Sequence, residues 1–351
     1  MKWKSFWEKI GNWELWPFEL RYLLITPVWA WYCLRSGSLW FFTPSNPTIS
    51  FGGFEGEGKK EMYEQLPENT YPKTIYIIPG IPFHEVAHQV AAAGFHYPFI
   101  VKPDVGMKGL LFRKIEDEAG LATYHSMIPF EYIVQELVTY PLEVSVFYYR
   151  YPNREKGVIT GFIQKSLMEI EGDGKQTIGA LVATHPKARF RIEELFIKHQ
   201  EKWNDVLLPG EKFFLAHAAN LNRGATFTNL NHLIDDDLLK IFDALSLPAQ
   251  FYYGRYDIKC TSVKDLKQGN NFSILEYNGS GAEPNHVYHS NLGLIAANQI
   301  FLAHWKALFE IARYNHEQGF KYWTFKKGWE FLKQGKKHLK VLEKLDKEIP
   351  V

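Results

Sequence analysis

Cysteine is nearly absent. The 351-residue chain holds two, Cys33 and Cys260. A disulfide framework and a thiolate metal cluster are excluded, and a reducing compartment such as the cytoplasm fits. Charge of one sign is also lacking. Forty Lys and Arg face 39 Asp and Glu, a formal net charge of +1. That argues against a globally basic nucleic-acid binder and against an acidic disordered chain. The apolar stretch near the start is short. Tyr22 to Leu34 is uncharged, but it is 13 residues long and contains Pro27. A bilayer crossing needs ~20 apolar residues. Its Trp-rich flanks and the lack of a small-residue cleavage site also argue against a signal peptide. Internal repeats and low-complexity linkers are missing as well.

What the chain does have is aromatic rings, 16% of its residues, including 11 Trp. Seven Trp fall in the first 42 residues (Trp3, Trp7, Trp13, Trp16, Trp29, Trp31 and Trp40). Trp and Tyr suit a membrane interface, where an apolar ring and a polar edge are both satisfied. The expectation leans to a shallow membrane-docking segment over residues 1–60. The alternative is a lobe that packs its rings on the main domain. The other end is basic: Lys321 to Lys347 carries nine Lys and three acids. Its spaced leucines, Leu332, Leu339, Leu342 and Leu345, predict an amphipathic helix that can rest on anionic lipid or on the core. With +2 in the first 42 residues and +6 in the last helix, the middle carries −7. An amphipathic substrate at the cytoplasmic membrane face is the corresponding expectation.

Between the ends, strands and helices interleave. Strands are predicted over Thr74–Ile78, Phe99–Lys102, Leu110–Ile115, Tyr132–Gln135, Glu143–Tyr149, Gly157–Lys165, Phe213–Ala219, Tyr252–Lys259 and Phe272–Tyr277. Helices are predicted over His84–Ala93, Gln176–Ala183, Ala188–Trp203, Asp235–Leu245 and Asn291–Tyr314. Many strands follow one another hairpin-like, so the fold class reads α+β with antiparallel sheet, not a doubly wound sheet. The glycine-rich Gly52–Gly58 lacks a Walker lysine and reads as a turn or hinge. His84-Glu85-Val86-Ala87-His88 fits the zinc-protease pattern H-E-x-x-H. Only three positions are fixed, in a chain with 13 His. A short helix packing Val86 and Val90 inward is the better account.

Four stretches form one chemical constellation. In the first, Lys102 ends a strand and Gly106, Lys108 and Gly109 follow in a loop. A lysine there neutralises phosphate, and loop N–H groups cap phosphate oxygens. In the second, Gln135, Glu136, Leu137 and Val138 end a strand, and Glu143 stands seven residues beyond Glu136. Main-chain groups there suit an adenine edge, and the carboxylate suits ribose hydroxyls. In the third, Asn222 and Arg223 precede a glycine and suit an anionic phosphoryl group. In the fourth, Arg255 and Asp257 share one strand face, and Glu276 and Asn278 share a face of the next. Asp257, Glu276 and Asn278 offer oxygen ligands to Mg²⁺, which shares its shell with substrate phosphates.

In order and spacing these stretches resemble the ATP-grasp superfamily, notably D-alanine–D-alanine ligases and the ATP-grasp part of cyanophycin synthetases. The segments IVKPDVGMKG, VQELVTYPLEV, EGDGKQTI with LLPGE and NLNRGA, and RYDI with ILEYNGSG carry the likeness across residues 70–300. The resemblance implies two α+β lobes that clasp ATP, at residues 61–138 and 139–300, with residues 301–351 as a helical basic tail. It implies ATP with Mg²⁺ (or Mn²⁺) as cofactors and a carboxylate and an amine, or another nucleophile, as partners. The nucleotide would be held by Lys102, Gly106, Lys108, Gly109, Gln135, Glu136, Leu137, Val138 and Glu143. Asp257, Glu276 and Asn278 would be the metal ligands. Arg255, Arg223 and Asn222 would act at the reaction centre. Ser280, Gly281, Glu283 and His286 would line the substrate site. The chain departs from the family in three ways, one being that EYNGSGAEP is not the dipeptide ligases' usual substrate loop. The aromatic segment stands where a substrate domain is usual, and the family's earlier nucleotide lysine is not located. The implied activity is an ATP-dependent ligase working through an acylphosphate. A membrane-surface nucleotide-binding protein without ligase chemistry is the alternative, with a zinc protease behind it.

Overall fold

The computed structural model describes residues 12–107, 109–215, 224–288 and 290–349. Trp3, Trp7, Lys108, residues 216–223 (with Asn222 and Arg223) and His289 lie outside that set. The chain divides into two compact units, residues 1–163 with 229–351 and residues 164–228. The boundaries expected at 60, 138 and 300 all fall inside the first unit.

Four strands build the first sheet: β1 (Thr74–Ile77), β2 (Phe99–Pro103), β3 (Arg113–Ile115) and β4 (Tyr132–Glu136). Their order is β1-β4-β2-β3, and every neighbouring pair is antiparallel. Helices Phe83–Ala92 and Glu118–Met127 bury Val86, Val90, Leu121 and Tyr124 in this lobe's core. His84, Glu85 and His88 are exposed. Among the described residues no three His, Cys, Asp or Glu side chains converge on a metal position.

The second sheet contains β5 (Leu142–Tyr149) and β6 (Val158–Ser166), and three later strands. The chain then enters the small unit. There β7 (Glu169–Glu171) pairs antiparallel with β8 (Lys212–Phe214) over a core of Met168, Ile170, Ile178, Val182, Leu195 and Leu207. It returns through β9 (Thr226–Asn229), β10 (Tyr253–Cys260) and β11 (Phe272–Asn278), giving the order β11-β10-β5-β6-β9. Strand β10 runs antiparallel to both β5 and β11. One side of this sheet is apolar: Val144, Val146, Tyr256, Ile258, Cys260 and Ile274 pack against Leu238, Phe242 and Leu245 of the Asp236–Ala249 helix. Alternation along each strand sends the intervening residues to the opposite face.

Several elements differ from the sequence-based expectation, each for a local reason. The Leu110–Ile115 strand shrinks to Arg113–Ile115, because Leu110 lies in a turn and Leu111 takes a positive φ of 58°. The Ala188–Trp203 helix breaks at Arg191 and His199, leaving Ile192–Lys198 as its α-helical part. The Glu118–Met127 helix was not anticipated. Asp117 starts it by accepting a hydrogen bond from the Gly120 N–H, a local cap that outweighs the internal glycine.

The aromatic N-terminal segment packs many of its rings. Phe41, Phe42 and Phe51 are fully buried with Phe147, Tyr253, Leu308 and Phe309, and Trp29, Tyr32 and Trp40 flank them. Asn46 anchors the segment to the start of β10. Its Nδ2 donates to the carbonyls of Gly52 (3.0 Å) and Tyr253 (2.8 Å). Its Oδ1 accepts from the N–H groups of Tyr252 (2.9 Å) and Tyr253 (3.1 Å). Asn46→Ala removes the acceptor of the Tyr252 and Tyr253 N–H groups, while the Gly52 and Tyr253 carbonyls keep the Ser280 N–H and the Tyr277 hydroxyl, so about 3 kcal/mol of stability is expected to go. Urea unfolding checks this as a lower midpoint with an unchanged slope.

The helix Leu294–Glu317 packs its aromatic side on the same cluster, and the helix Phe325–Glu348 closes the chain. Among the described residues no helix is long and apolar enough to cross a membrane.

Candidate active site

The polar face of the second sheet gathers the fourth stretch. Arg255 lies opposite Asn278, and Asp257 opposite Glu276. On the other neighbour, Asp257 lies opposite Ser145 and Lys259 opposite Glu143. Three adjacent strands thus present polar side chains in one band. Asp257, only 5% exposed, is its hub. Its carboxylate accepts from Ser145 Oγ at 2.6 Å, from Arg255 Nε at 3.2 Å and Nη2 at 3.3 Å, and from Asn278 Nδ2 at 3.4 Å. Arg255 Nη1 also donates to the Glu283 carbonyl at 3.1 Å, which ties the band to the loop after β11.

The first stretch contributes two lysines. Lys102 projects from β2, and burial pushes its ammonium down to about 7. Lys59 adds to the fall and Glu276 opposes it. Lys59 opens the Lys59–Tyr63 helix and donates to the Asp104 carbonyl at 3.1 Å. Asp104 Oδ1 in turn accepts from the Lys60 N–H at 2.8 Å. This pins the loop after β2 to the helix start. A Cβ on Gly106 would stand 3.4 Å from Lys59 Nζ, so the ammonium lies beside the glycine loop. Gly109 holds a positive φ of 69° in that loop. Glu57 completes the charge cluster. Burial lifts its carboxyl to about 7, with Glu276 raising it further and Lys59 lowering it, and its Oε2 is buried without a hydrogen-bond partner.

The glycine-rich segment is part of this architecture. Ser280 and Gly281 donate their N–H groups to the Gly52 and Gly53 carbonyls at 3.0 and 3.1 Å. A Cβ on Gly53 would lie 2.8 Å from Gly279 Cα, and one on Gly281 would lie 1.9 Å from the Phe54 carbonyl oxygen. Glycine is required there because two backbones run side by side.

The remaining candidates take varied places. The Glu136 N–H donates to the Lys73 carbonyl, and the Val138 carbonyl accepts from Lys259 Nζ at 3.0 Å. Leu137 lies between them. Glu143 is half-buried across from Lys259. Gln135 is fully buried and donates to Thr74 Oγ1 at 2.7 Å, which directs it into the first lobe. Ser280 is buried with an unpartnered hydroxyl. The Glu283 carboxylate accepts from the hydroxyls of Tyr22 and Tyr288, with Arg21 nearby. His286 is packed between Gly161 and His304. Lys108, Asn222 and Arg223 lie outside the described residues.

Sequence reasoning passed over Lys59, Glu57 and Ser145. Lys59 sits in a charged run, although Gly58 before it marks a helix start. Ser145 is hidden in an apolar strand, and only its register with Asp257 gives it away.

The donor set suits a hard divalent ion. Asp257 and Glu276 face each other across neighbouring strands, with the Asn278 amide two residues on. Two carboxylates leave most of a Mg²⁺ shell to water and phosphate oxygens, the usual arrangement for that ion. The two lysines place positive charge beside this donor set, which suits an anionic ligand.

No family model matches the sequence, and no curated protein matches it. Among solved structures, it is similar to a bifunctional glutathione synthetase from Pasteurella multocida, with 13% identity and a TM-score of 0.38. The match covers 67% of this chain and 34% of that one, so the chain spans about a third of that synthetase's length. It is similar to a D-alanine–D-alanine ligase from Bacillus anthracis, with 14% identity, a TM-score of 0.40, and 80% and 72% of the two chains covered. It is also similar to the ATP-grasp ligase PsnB, complexed with minimal precursor, at 13% identity and a TM-score of 0.37, with 70% and 58% covered.

Proposed function

We propose that the protein is an ATP-dependent ligase that joins a carboxylate to an amine, or another nucleophile, through an acylphosphate. The observation that carries this is the band Arg255–Asp257 facing Asn278–Glu276, with Lys102 within reach of Glu276's charge. ATP would phosphorylate the substrate carboxylate and leave as ADP. The nucleophile would then attack the acyl carbon and release phosphate. Asp257, Glu276 and Asn278 would hold Mg²⁺, whose chemistry is to neutralise phosphate charge and polarise the transferring phosphoryl group. Lys102 and Lys59 would hold the phosphates, with the loop at Gly106 and Gly109 closing over them. Arg255, kept in place by Asp257 and the Glu283 carbonyl, would stabilise charge at the reacting carbon. Glu136, Leu137 and Val138 would frame adenine, and Glu143 the ribose. Ser280, Gly281 and Glu283 would border the carboxylate. The reading includes a setting at a membrane surface, carried by residues other than these.

ADP release tests this, screened over amino acids, lipid extracts and other carboxylates paired with amines, with mass spectrometry of the product. Lys102→Ala is expected to weaken MgATP binding by about 10- to 100-fold, the worth of one charge-assisted phosphate contact. Titration calorimetry reads it. Unchanged affinity removes Lys102 from the site, and nucleotide binding with no ADP from any pair sinks the ligase.

A further inference from the structure

The N-terminal segment does not bury all of its apolar surface. No residue of the Thr26–Ser36 helix is buried. Leu34 is 76% exposed, Leu24 67%, Leu23 60% and Trp31 56%. Single exposed leucines are ordinary, but a contiguous apolar surface is not. Here the surface is contiguous. A groove of about 740 Å³ runs along Thr26, Trp29, Ala30, Cys33 and Leu34 to Leu39 and Trp40. Beyond it the Trp40 ring stacks on Phe325, and Phe325 stacks on Trp329, both exposed at the start of the C-terminal helix. Gly328 permits this, since a Cβ there would lie 2.4 Å from the Trp40 indole nitrogen.

Charge distinguishes the occupants. From Phe325 to Lys340 the C-terminal helix has six lysines against one glutamate. Lys326, Lys327, Lys333, Lys336, Lys337 and Lys340 are all exposed. Lys327 Nζ lies 3.9 Å from the Trp323 ring centroid, and Lys333 Nζ 5.7 Å from that of Trp329. The ammonium groups therefore sit directly beside the apolar rings. This is the chemistry of a helix lying in a headgroup layer: rings and leucines enter the acyl boundary, and lysines meet anionic headgroups. A second copy applied by two-fold symmetry would set lysine against lysine. At 11 residues the exposed N-terminal helix is too short to span, so it lies on the surface.

We propose that the Thr26–Ser36 helix, the Leu39–Trp40 turn and the Phe325–Lys340 stretch form one docking face for an anionic lipid bilayer. The inference rests on the membrane part of the reading above, not on the ligase chemistry. Flotation reads the one, and ADP release the other.

The test is flotation of the full chain with phosphatidylcholine vesicles, with and without about 30 mol % phosphatidylglycerol. The protein is expected to float with the anionic vesicles alone and to be released by about 0.5 M salt, where the Debye length shrinks to a few ångströms. Leu34→Glu with Trp329→Glu should lower binding at least about tenfold, because charge enters the acyl boundary. Lys333→Glu with Lys336→Glu and Lys337→Glu should lower it as much, since each lysine near the surface contributes about fivefold. All these side chains are exposed, so the melting temperatures should stay within a few degrees of the parent. Protein that stays below with both vesicle types overturns the proposal. So does equal flotation on neutral vesicles, or a solution dimer that Leu34→Glu dissociates.

Discussion

Glu276→Gln is expected to lower ADP release by about 10³-fold without lowering the melting temperature. Asp257→Asn is expected to lower both. The difference follows from what each carboxylate touches. Asp257 is buried and answers Ser145, Arg255 and Asn278 at once. An amide in its place turns an N–H toward Arg255 whichever way it points, with Ser145 or Asn278 beside it, and removes the charge that the guanidinium pairs with. Breaking a buried ion pair from one side typically destabilises by 3–5 kcal/mol. Glu276 lies opposite Asp257, is half-buried, and is not part of that ion pair. Its loss removes a metal-binding oxygen and part of the field on Lys102, with little change in packing. Removing one well-placed electrostatic group at a reacting centre typically slows turnover 10²- to 10³-fold. Both variants are measured with the substrate pair that the screen identifies, beside differential scanning calorimetry. Full turnover in Glu276→Gln would falsify the assignment of the metal site. Equal loss of stability in the two variants would place Glu276 in the structural network instead.

The polar band was legible because a strand repeats every two residues. Arg255, Asp257 and Lys259 interrupt an otherwise apolar strand at one parity, and Glu276 and Asn278 do the same on the next. The register shift between Asp257 and Ile258 was not legible. It falls just past the site and leaves the Asp257–Glu276 pairing intact, so parity alone sufficed. Lys59 was hidden for the opposite reason. Its helix is five residues long, and one turn shows no periodicity. Only the return of Asp104 to the helix start sets that lysine beside Gly106. Asn46 carries no sequence signal at all, since its four main-chain partners lie at Gly52, Tyr252 and Tyr253. The aromatic segment was ambiguous in principle. A ring gains from leaving water whether it enters a core or a headgroup layer. Folding divides the set: Phe41, Phe42 and Phe51 go inside, whereas Trp31 stays out.

The second large effect concerns His286, which the family resemblance assigns to substrate. Its ring is 6% exposed and lies 5.5 Å from that of His304. His304 is held by the Ile300 carbonyl at Nδ1 and by Thr160 Oγ1 at Nε2. A carbonyl can only accept, so Nδ1 carries a proton, and in the neutral ring Nε2 accepts from the Thr160 hydroxyl. Burial favours the neutral form of both rings in the fold. Burial pushes His286 down to about 3, with His304 adding to the fall, and burial pushes His304 down to about 4. The unfolded chain takes up these protons near pH 6.5. Because the folded values are depressed, the stability is fully present above 6.5 and drains as the pH falls toward 4. Each ring costs about 1.4 kcal/mol per pH unit in that window, so about 4 kcal/mol should be lost between pH 7.5 and 5. Urea midpoints at constant slope measure it. His286→Leu should roughly halve the acid sensitivity, because one proton uptake disappears while the slot beside Gly161 stays filled. Stability that is flat from pH 7.5 to 5 would show the rings reaching solvent and able to protonate in the fold. In that case His286 would be free to serve the substrate as the resemblance implies. The expected drain instead makes the pair a dry, neutral contact between the Asn285–Val287 turn and the Leu294–Glu317 helix, packed against Gly161 of β6.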